Sequence, residues 1–370
     1  MKALLKQLIQ ARSTPDVGEA AAAEVIAVHF DRCGIDCQVD RWEGNRANVT
    51  AQVKSSGERP ALFFVCHLDV VSPGEEPWHH GPFEAQEVNG KIYGRGAADM
   101  KGGTTAAIAA ICETLASGVD LKGDIFFAAT AGEETYSEGV IRLMQSGMSL
   151  PAPVGIVIPE PTDFAVITAH RGLLWLEITT RGKAVHSSMP QRGINAIMSM
   201  KLVLDALERY DIACQPHPLL GECSLSVNTI AGGQGRNIVP DHCCISVDVR
   251  TLPGQNHDAI QCDIERLLAQ LRTEHPQFDG SLAVDRSVGA METDADCPFV
   301  RTFCSAADVD LTDAIGFTTD APHLASLGAP IVIYGPGQPN QCHQVNEHIS
   351  VADLEQGVDV FKRVIRTFLT

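Results

Sequence analysis

The chain has 370 residues, 45% of them hydrophobic and 20% charged, and its formal net charge is -18. This length exceeds what one hydrophobic core usually fills, so we expect two domains. The acidic balance argues against nucleic acid or an anionic membrane as a partner, because both are bound through clustered lysine and arginine. A small-molecule substrate is favoured.

The segment 1-30 has the apolar spacing of an amphipathic helix, and polar residues interrupt any signal-peptide core. No stretch approaches the ~20 consecutive apolar residues of a membrane helix. Most of the twelve cysteines lie in apolar runs, where reduced thiols behave as small hydrophobic groups. Cys33 and Cys37 flank a short turn, but nothing repeats a CxxC pair, so disulfide and structural zinc roles are not expected. These features predict a cytoplasmic protein with reduced cysteines.

Apolar periodicity and turn-forming residues predict alternating helices and strands in the first part of the chain. The helices lie at 2-12, 17-33 and 104-115, and the strands at 36-42, 47-54, 61-66, 123-130 and 154-158. Three of these strands run directly into acidic or imidazole side chains. Ligands of open α/β sheets bind at the carboxyl ends of the strands, so this edge is the expected site.

The strand 61-66 leads into His67, and Asp69 follows two positions later. Because side chains alternate along a strand, we expect His67 and Asp69 to point the same way. A metal-binding imidazole and a carboxylate that orients it need this arrangement. An ordinary polar turn after a buried strand is the alternative that these residues alone leave open.

Carboxylates also follow two other strands. Glu133 and Glu134 come after the strand 123-130, and Glu160 comes after the strand 154-158. Adjacent carboxylates at a strand end are costly unless a cation or a proton neutralises them. A pair of glutamates is also common in the charged first turn of a helix, which is the alternative here.

The glycine-dense loop 94-103 carries Asp99 ahead of the helix 104-115. A phosphate-binding turn is not expected, because the GxGxxG spacing is absent and Asp99 stands where an anion would lie. With a late histidine, the candidates at this sheet edge are His67, Asp69, Asp99, Glu133, Glu134, Glu160 and His343. Two histidines and several carboxylates suit two divalent metal ions, and such mixed ligands favour zinc, cobalt or manganese. Spacing alone does not establish the site, because these residues are spread over most of the chain.

From residue 173 the pattern changes to half-exposed alternating strands and two amphipathic helices, which is typical of a small α+β domain. The strands lie at 174-182, 224-231 and 243-250, and the helices at 193-209 and 257-274. The final part returns to the first style, with a helix at 298-306, a strand at 331-334 and a helix at 351-368. We therefore predict one domain made of 1-172 and 289-370, with a second domain, 173-288, inserted into it.

Five motifs resemble those of the M20 metallopeptidase family, which includes acetylornithine deacetylase, succinyl-diaminopimelate desuccinylase, aminoacylase and glutamate carboxypeptidases. In chain order the motifs are His67-x-Asp69, Gly94-Arg95-Gly96-Ala97-x-Asp99-Met100-Lys101-Gly102-Gly103, Gly132-Glu133-Glu134, Pro159-Glu160-Pro161-Thr162 and His343. Pro159 replaces the more common glycine without changing the ligand that follows it. The resemblance spans the chain from the first helix to the last. It implies an α/β fold with a catalytic α/β/α domain, a mixed sheet, and a smaller α+β lid domain that mediates dimerisation.

The resemblance also implies how the ligands are divided. His67 and Glu160 would hold one metal ion, Glu134 and His343 would hold the other, and Asp99 would bridge the two. Zinc is the metal expected first, with cobalt or manganese as alternatives.

The inserted domain carries two further matching motifs, at 182-190 and 232-240. They imply that His186 polarises the scissile carbonyl or holds the oxyanion, in many relatives by reaching across a dimer. Asn237 and Arg250 would bind the carboxylate end of the substrate. Without the resemblance, His186 would be a plain surface or capping residue and Arg250 a solvated strand charge.

By the same resemblance, Asp69 would orient His67, and Glu133 would be the general base in the hydrolysis of an amide bond. The segments 318-322 and 335-344 are most similar to the acetylornithine deacetylase branch, which predicts an N-acyl amino acid substrate. A desuccinylase is the nearest alternative, followed by a dipeptidase or carboxypeptidase acting on a short peptide. A catalytically silent relative is disfavoured, because every expected position is filled. A homodimer formed through the lid domain is also implied.

Overall fold

The computed structural model describes all 370 residues, and they form two compact units. The first unit comprises Met1–Thr168, Glu292–Ala314 and Thr319–Thr370, and the second comprises Ala169–Met291 and Ile315–Thr318. None of the helices combines the length and the apolar character needed to cross a bilayer.

Helices and strands alternate through most of the chain. The helices are α1 (Lys2–Gln10), α2 (Ala20–Arg32), α3 (Lys101–Ala116), α4 (Glu138–Gln145), α5 (Ala196–Leu207), α6 (His257–Glu274), α7 (Pro298–Ala307), α8 (Ala321–Leu324) and α9 (Val351–Leu369). The strands are β1 (Cys37–Trp42), β2 (Arg46–Val53), β3 (Arg59–His67), β4 (Glu87–Val88), β5 (Lys91–Tyr93), β6 (Gly123–Thr130), β7 (Pro153–Ile158), β8 (Val166–His170), β9 (Gly172–Arg181), β10 (Ser224–Gly232), β11 (His242–Thr251), β12 (Asp279–Val288), β13 (Met291–Glu292), β14 (Thr312–Ile315), β15 (Ile331–Ile333) and β16 (His348–Ser350).

The main sheet has nine strands in the order β1-β2-β6-β3-β7-β15-β8-β13, with β14 paired to β8. The four strands β6, β3, β7 and β15 are parallel to one another, whereas β1 pairs with β2, β2 with β6, and β8 with β15 in antiparallel fashion. Residues 61-67 of β3 are all buried. Because successive side chains point to opposite faces, both faces of the sheet are covered. The mixed sheet of the predicted α/β fold is confirmed.

Parallel pairing places the ends of four strands at one edge of the main sheet. His67, the last residue of β3, is in register with Thr130, the last residue of β6. The last residues of β7 and β15, Ile158 and Ile333, are paired with each other. The loops that follow these four strands therefore start from the same edge, as expected for a ligand site in an α/β sheet.

The second unit is built on a four-stranded antiparallel sheet in the order β10-β11-β9-β12. Alternate residues of β9 and β11 face a core shared with α5 and α6, in which Ile178, Val203, Ile245 and Ile264 are buried. The edge strand β10 stays largely exposed along its whole length. One sheet face is thus packed, which matches the alternating pattern in the sequence.

The predicted helices and strands are present, with ends shifted by no more than three residues. The structure adds α4, α8, β8, β12, β13, β14 and a small sheet of β16, β5 and β4 that the sequence pattern did not predict. In β12 a register irregularity between Val284 and Arg286 breaks the alternation on which such a prediction depends. The other additions have eight residues or fewer, so their sequences give weaker periodic signals than the long elements do.

Candidate active site

The carboxylate of Asp99 lies between two histidines. His67 Nε2 is 3.2 Å from Asp99 Oδ1, and His343 Nε2 is 3.4 Å from Asp99 Oδ2. A second carboxylate accompanies each histidine, because Glu160 Oε1 lies 3.6 Å from His67 Nε2 and Glu134 Oε1 lies 3.0 Å from His343 Nε2. The five side chains therefore form two neighbouring groups that share Asp99.

The ring of His67 is held by the backbone of Asp69. Nδ1 of His67 donates to the Asp69 carbonyl oxygen over 3.0 Å, whereas the nearest carboxylate oxygen of Asp69 is 3.6 Å away. The carboxylate instead accepts from the backbone N–H groups of Glu133 and Glu134, at 3.1 and 3.0 Å. Because β3 ends at His67, the strand alternation used in the sequence analysis does not extend to Asp69. With Nδ1 donating, Nε2 of His67 donates to Asp99 when the ring is protonated and offers its lone pair to a cation when the ring is neutral.

Burial dominates the electrostatics of the acidic groups. It raises the pKa of Glu133 and of Glu160 well above the ordinary value, and neighbouring carboxylates raise both further. Burial and the charge of Asp99 raise the pKa of Glu134. Burial would also raise the pKa of Asp99, but hydrogen bonds from the two histidines outweigh it and lower that pKa. Hydrogen bonds to Asp99 and Glu134 raise the pKa of His343 to about 10. These shifts describe a buried acidic cluster that favours protons or metal ions.

Asp320 is a further buried carboxylate at this site, and sequence reasoning gave it no role. Its side chain accepts a hydrogen bond from Thr130 Oγ1 over 3.5 Å. Its charge contributes to the raised pKa of both Glu133 and Glu160. Asp320 lies in the segment 318-322, whose pattern pointed to a branch of the family but not to a position near these glutamates.

Close backbone contact fixes the start of α3 against the loop that follows β7. A Cβ atom built on Gly103 would lie 1.8 Å from the carbonyl oxygen of Pro159, so no other residue fits there without a shift of the backbone. This contact joins the first turn of α3, which follows Asp99, to the residue before Glu160. The glycine pair of the 94-103 loop thus has a packing reason.

Glu347 organises the loop that carries Asp99. Its buried carboxylate accepts from the backbone N–H groups of Gly96, Ala98 and Asp99, at 3.0, 2.9 and 3.1 Å. Glu347 is placed next to this loop because β16, which follows it, pairs with β5. The Gly94 N–H extends the pairing by donating to the Glu347 carbonyl over 2.9 Å. No sequence pattern pointed to Glu347, because 248 residues separate it from Asp99.

Arg95 connects the same loop to His343. Its Nη1 donates to Glu347 over 2.7 Å and to the carbonyl of Gln344 over 3.2 Å, and its Nη2 donates to the carbonyl of His343 over 3.4 Å. His343 has a φ of 64°, in the left-handed region that residues other than glycine rarely adopt. The buried pair of Arg95 and Glu347 therefore positions Asp99 on one side and His343 on the other.

His186 and Asn237, two of the predicted substrate residues, lie together in the second unit. The N–H of Ser187 donates to the Asn237 carbonyl over 2.9 Å. Nδ1 of His186 accepts from the backbone N–H of Ser188 over 3.2 Å. In the neutral ring this leaves the proton on Nε2, so His186 can donate a hydrogen bond from an exposed position.

Arg250 lies elsewhere in the second unit. It is the ninth residue of β11, and its Nε is 3.1 Å from Asp248 Oδ1. Asn237 precedes the first residue of this strand, His242. A strand rises ~3.3 Å per residue, so ~26 Å separate His242 from Arg250. The second unit brings His186 and Asn237 together but leaves Arg250 near the other end of its sheet.

The sequence matches known proteins over most of its length. The model of Peptidase family M20/M25/M40 matches residues 63–367. An acetylornithine deacetylase of Myxococcus xanthus is 30% identical, over 87% of this chain and 84% of that protein. A probable succinyl-diaminopimelate desuccinylase of Staphylococcus aureus is also 30% identical, over 92% of this chain and 90% of that protein.

Solved structures share the fold at lower identity. An M20 family metallo-carboxypeptidase from Sulfolobus solfataricus superposes with a TM-score of 0.84 at 16% identity, covering 99% of this chain and 98% of that one. A dinuclear metal binding peptidase of the M20 family from Bacillus subtilis superposes with a TM-score of 0.71 at 16% identity, covering 99% and 98%. At this level of identity, both similarities establish the fold of the chain.

Replacing Glu347 by glutamine keeps the shape of the side chain and removes its charge. We expect the free energy of unfolding to fall by about 3 kcal/mol, because Arg95 is left buried without its anionic partner. Urea unfolding measures this loss. Hydrogen exchange of the amides of Gly96, Ala98 and Asp99 should accelerate, because they lose a charged acceptor.

Glu87→Gln is the matched control. Glu87 pairs with Lys2 and Lys6 at the surface, where solvent screens the charges, so this change should leave stability nearly unaltered. A Glu347→Gln protein with the stability and amide exchange of the wild type would contradict the positioning role.

Proposed function

Because the chain belongs to Peptidase family M20/M25/M40, and is thereby a metal-dependent hydrolase of amide or peptide bonds, we propose that it removes the acyl group from an N-acyl amino acid with two bound metal ions. The position of Asp99 carries this proposal, because each of its carboxylate oxygens faces a different histidine. A carboxylate placed in this way can bind two cations at once, as in other two-metal hydrolytic sites.

The donor atoms fit such a pair of cations. His67 and Glu160 would hold one metal ion, Glu134 and His343 the other, and Asp99 both. Ligand atoms ~2.1 Å from a tetrahedral zinc ion lie ~3.4 Å from each other, and the nitrogen-oxygen distances here are 3.0 to 3.6 Å. Nitrogen and oxygen donors suit zinc first, with cobalt or manganese as alternatives.

Glu133 is proposed as the general base. Bound metal ions would lower the pKa of a water molecule and polarise the scissile carbonyl. Glu133 would take the proton from that water and pass it to the leaving amine. Its raised pKa, caused by burial and by Asp320, Glu134 and Glu160, supports a group that accepts and then returns a proton. The carboxylate of Asp69 would keep Glu133 in place by accepting a hydrogen bond from the backbone N–H of Glu133.

His186 is proposed to stabilise the oxyanion, because its Nε2 is left as a hydrogen-bond donor. Asn237 and Arg250 would bind the carboxylate end of the substrate. A small substrate does not span the ~26 Å between the two ends of β11, so we propose that two copies of the chain contribute these three residues to one site. This supports a homodimer formed through the lid domain, 173-288, in which His186 acts on the partner's site.

Acetyl is the proposed acyl group. A succinyl group carries a second carboxylate, and its recognition should require an additional cation. The two cationic side chains of the 94-103 loop are committed elsewhere, since Arg95 pairs with Glu347 and the buried Lys101 donates to the Leu8 carbonyl over 2.8 Å. A desuccinylase remains the second candidate, because the relative of that name is as similar as the deacetylase.

Two substitutions of adjacent glutamates separate the proposed roles. Glu133→Gln should retain both metal ions and lose at least ~100-fold in kcat, because only proton transfer is removed. Glu134→Gln should bind one metal ion less, because a ligand is weakened. Metal content by elemental analysis and kcat on the preferred substrate measure both effects. Normal turnover by a metal-replete Glu133→Gln enzyme would rule out the general base.

Chelation followed by a substrate panel tests the reaction and the acyl group. The chelated protein should be inactive and regain activity with zinc, cobalt or manganese. On N-acetylornithine, N-acetyl-methionine, N-succinyl-diaminopimelate and a simple dipeptide, kcat/KM should be highest for N-acetylornithine. Preference for the succinyl compound would show that the enzyme is a desuccinylase, the second candidate, and not a deacetylase. Full activity in protein shown to be free of metal would overturn the two-metal site.

Complementation between inactive variants tests the dimer. His186→Ala and Glu133→Gln proteins should each be inactive alone. After they are mixed and exchange subunits, about a quarter of wild-type turnover should return, because half of the dimers are hybrids with one complete site in two. A monomeric mass of 39.7 kDa in solution, or no recovery despite verified subunit exchange, would contradict action across a dimer.

A further inference from the structure

A second cluster of metal-binding side chains lies outside the candidate active site. It consists of His29 in the last turn of α2, Cys33 directly after that helix, and Cys112 in α3. One donor atom from each residue lies within 4.8 Å of the others. All three residues are partly buried, so the donors are held by their helices and still reachable from solvent.

Local geometry explains why His29 and Cys33 face the same way. Residues four apart on a helix lie on one face, one turn above the other. The helical pattern continues through Cys33, whose N–H donates to the His29 carbonyl over 3.3 Å. Cys112 then completes the cluster from another helix, 79 positions later in the chain. The sequence contains no spacing that would have revealed this third member.

We propose that His29, Cys33 and Cys112 form an additional binding site for a thiophilic divalent cation such as zinc, with the fourth position open to water. Two thiolates and one imidazole are soft ligands and differ in kind from the carboxylates and imidazoles around Asp99. The site would join α2 to α3, whose first residue, Lys101, follows Asp99 by two positions. It does not depend on the proposed function, because sulfur ligation is detected by its own absorption whether or not the imidazoles and carboxylates around Asp99 bind metal ions.

Burial acts in opposite directions on the pKa of the imidazole and on that of the Cys112 thiol in this cluster. Burial lowers the pKa of His29, which keeps the imidazole neutral and able to coordinate at neutral pH. Burial raises the pKa of Cys112, and the neighbouring Cys33 thiol raises it further, so a proton competes with a cation for this sulfur. A disulfide between the two cysteines is the competing fate. A disulfide would not require a histidine nearby, whereas His29 places a nitrogen within 4.8 Å of both sulfur atoms.

Cobalt titration of the reduced, chelator-treated full chain tests the site. We expect a third equivalent of cobalt beyond the two of the active site, with near-ultraviolet thiolate-to-cobalt absorption. Cys33→Ser and Cys112→Ser should each lose this absorption and the third equivalent while retaining the other two. Cys37→Ser is the matched control, because Cys37 contacts the Ala27 carbonyl and is not part of the cluster.

Cys342 needs its own control, because its thiol lies beside Asp99. Absorption that disappears in Cys342→Ser but persists in Cys33→Ser would place the thiolate in the active site and overturn the proposal. A reduced wild-type chain that binds no third equivalent would also overturn the proposal. This holds even if the same chain readily forms the Cys33-Cys112 disulfide on oxidation.

Alkylation of the wild-type chain gives a result that does not depend on variants. The third equivalent of zinc should slow the modification of Cys33 and Cys112 by iodoacetamide at least 10-fold, as mapped by mass spectrometry, because a coordinated thiolate is a poorer nucleophile. The exposed Cys262 should react at an unchanged rate. Equal rates with and without the third equivalent would contradict coordination by these two cysteines.

Discussion

Repulsion among buried carboxylates is the constraint on which the first unit depends. Asp99, Glu133, Glu134, Glu160 and Asp320 converge at the carboxyl edge of one group of parallel strands, and burial disfavours their ionised forms. The two histidines beside Asp99 compensate part of this charge. Metal ions, in the function proposed, would compensate the remainder. The repulsion that makes these ionised carboxylates unfavourable is relieved when a cation binds, so it would contribute to the affinity for that cation.

Buried acids also act as a scaffold for this edge. Asp69 accepts the backbone N–H groups of Glu133 and Glu134, and Glu347 accepts those of the loop that carries Asp99. In both cases a buried carboxylate accepts hydrogen bonds from the backbone of a segment that carries another carboxylate of the cluster. Arg95 neutralises Glu347 and extends the same scaffold to the His343 segment. Such fixed positions matter because a metal site tolerates little displacement of its ligands.

The two metal-binding clusters of the first unit differ in chemistry as well as in place. Oxygen and nitrogen donors surround Asp99, whereas two sulfur donors and a nitrogen converge where His29 meets Cys112. In the sites proposed, ligand softness would let the second cluster select a thiophilic cation while harder cations occupy the first. The second unit adds a hydrogen-bond donor in His186 and a largely exposed edge strand, β10, which are the features that the proposed dimer would use.

The sequence by itself determined the type and order of nearly all the long elements, because apolar periodicity reports directly which side chains are buried. Every helix or strand of ten residues or more was predicted except β12, where the register irregularity interrupts the alternation. The motifs also singled out the seven residues at the sheet edge. The motifs identified the chemical groups of the site, because metal ligands and proton carriers come from a small set of side chains.

Only the tertiary structure decided which atoms meet. It placed the carbonyl of Asp69 closer to His67 than the carboxylate, at 3.0 against 3.6 Å, because the strand ends at His67, two residues before Asp69. It set Glu347 beside Asp99 and Cys112 beside Cys33, pairs that are far apart along the chain. Local sequence patterns describe neighbours within a turn or a strand. Contacts made by strand pairing and helix packing between distant segments depend on the whole fold.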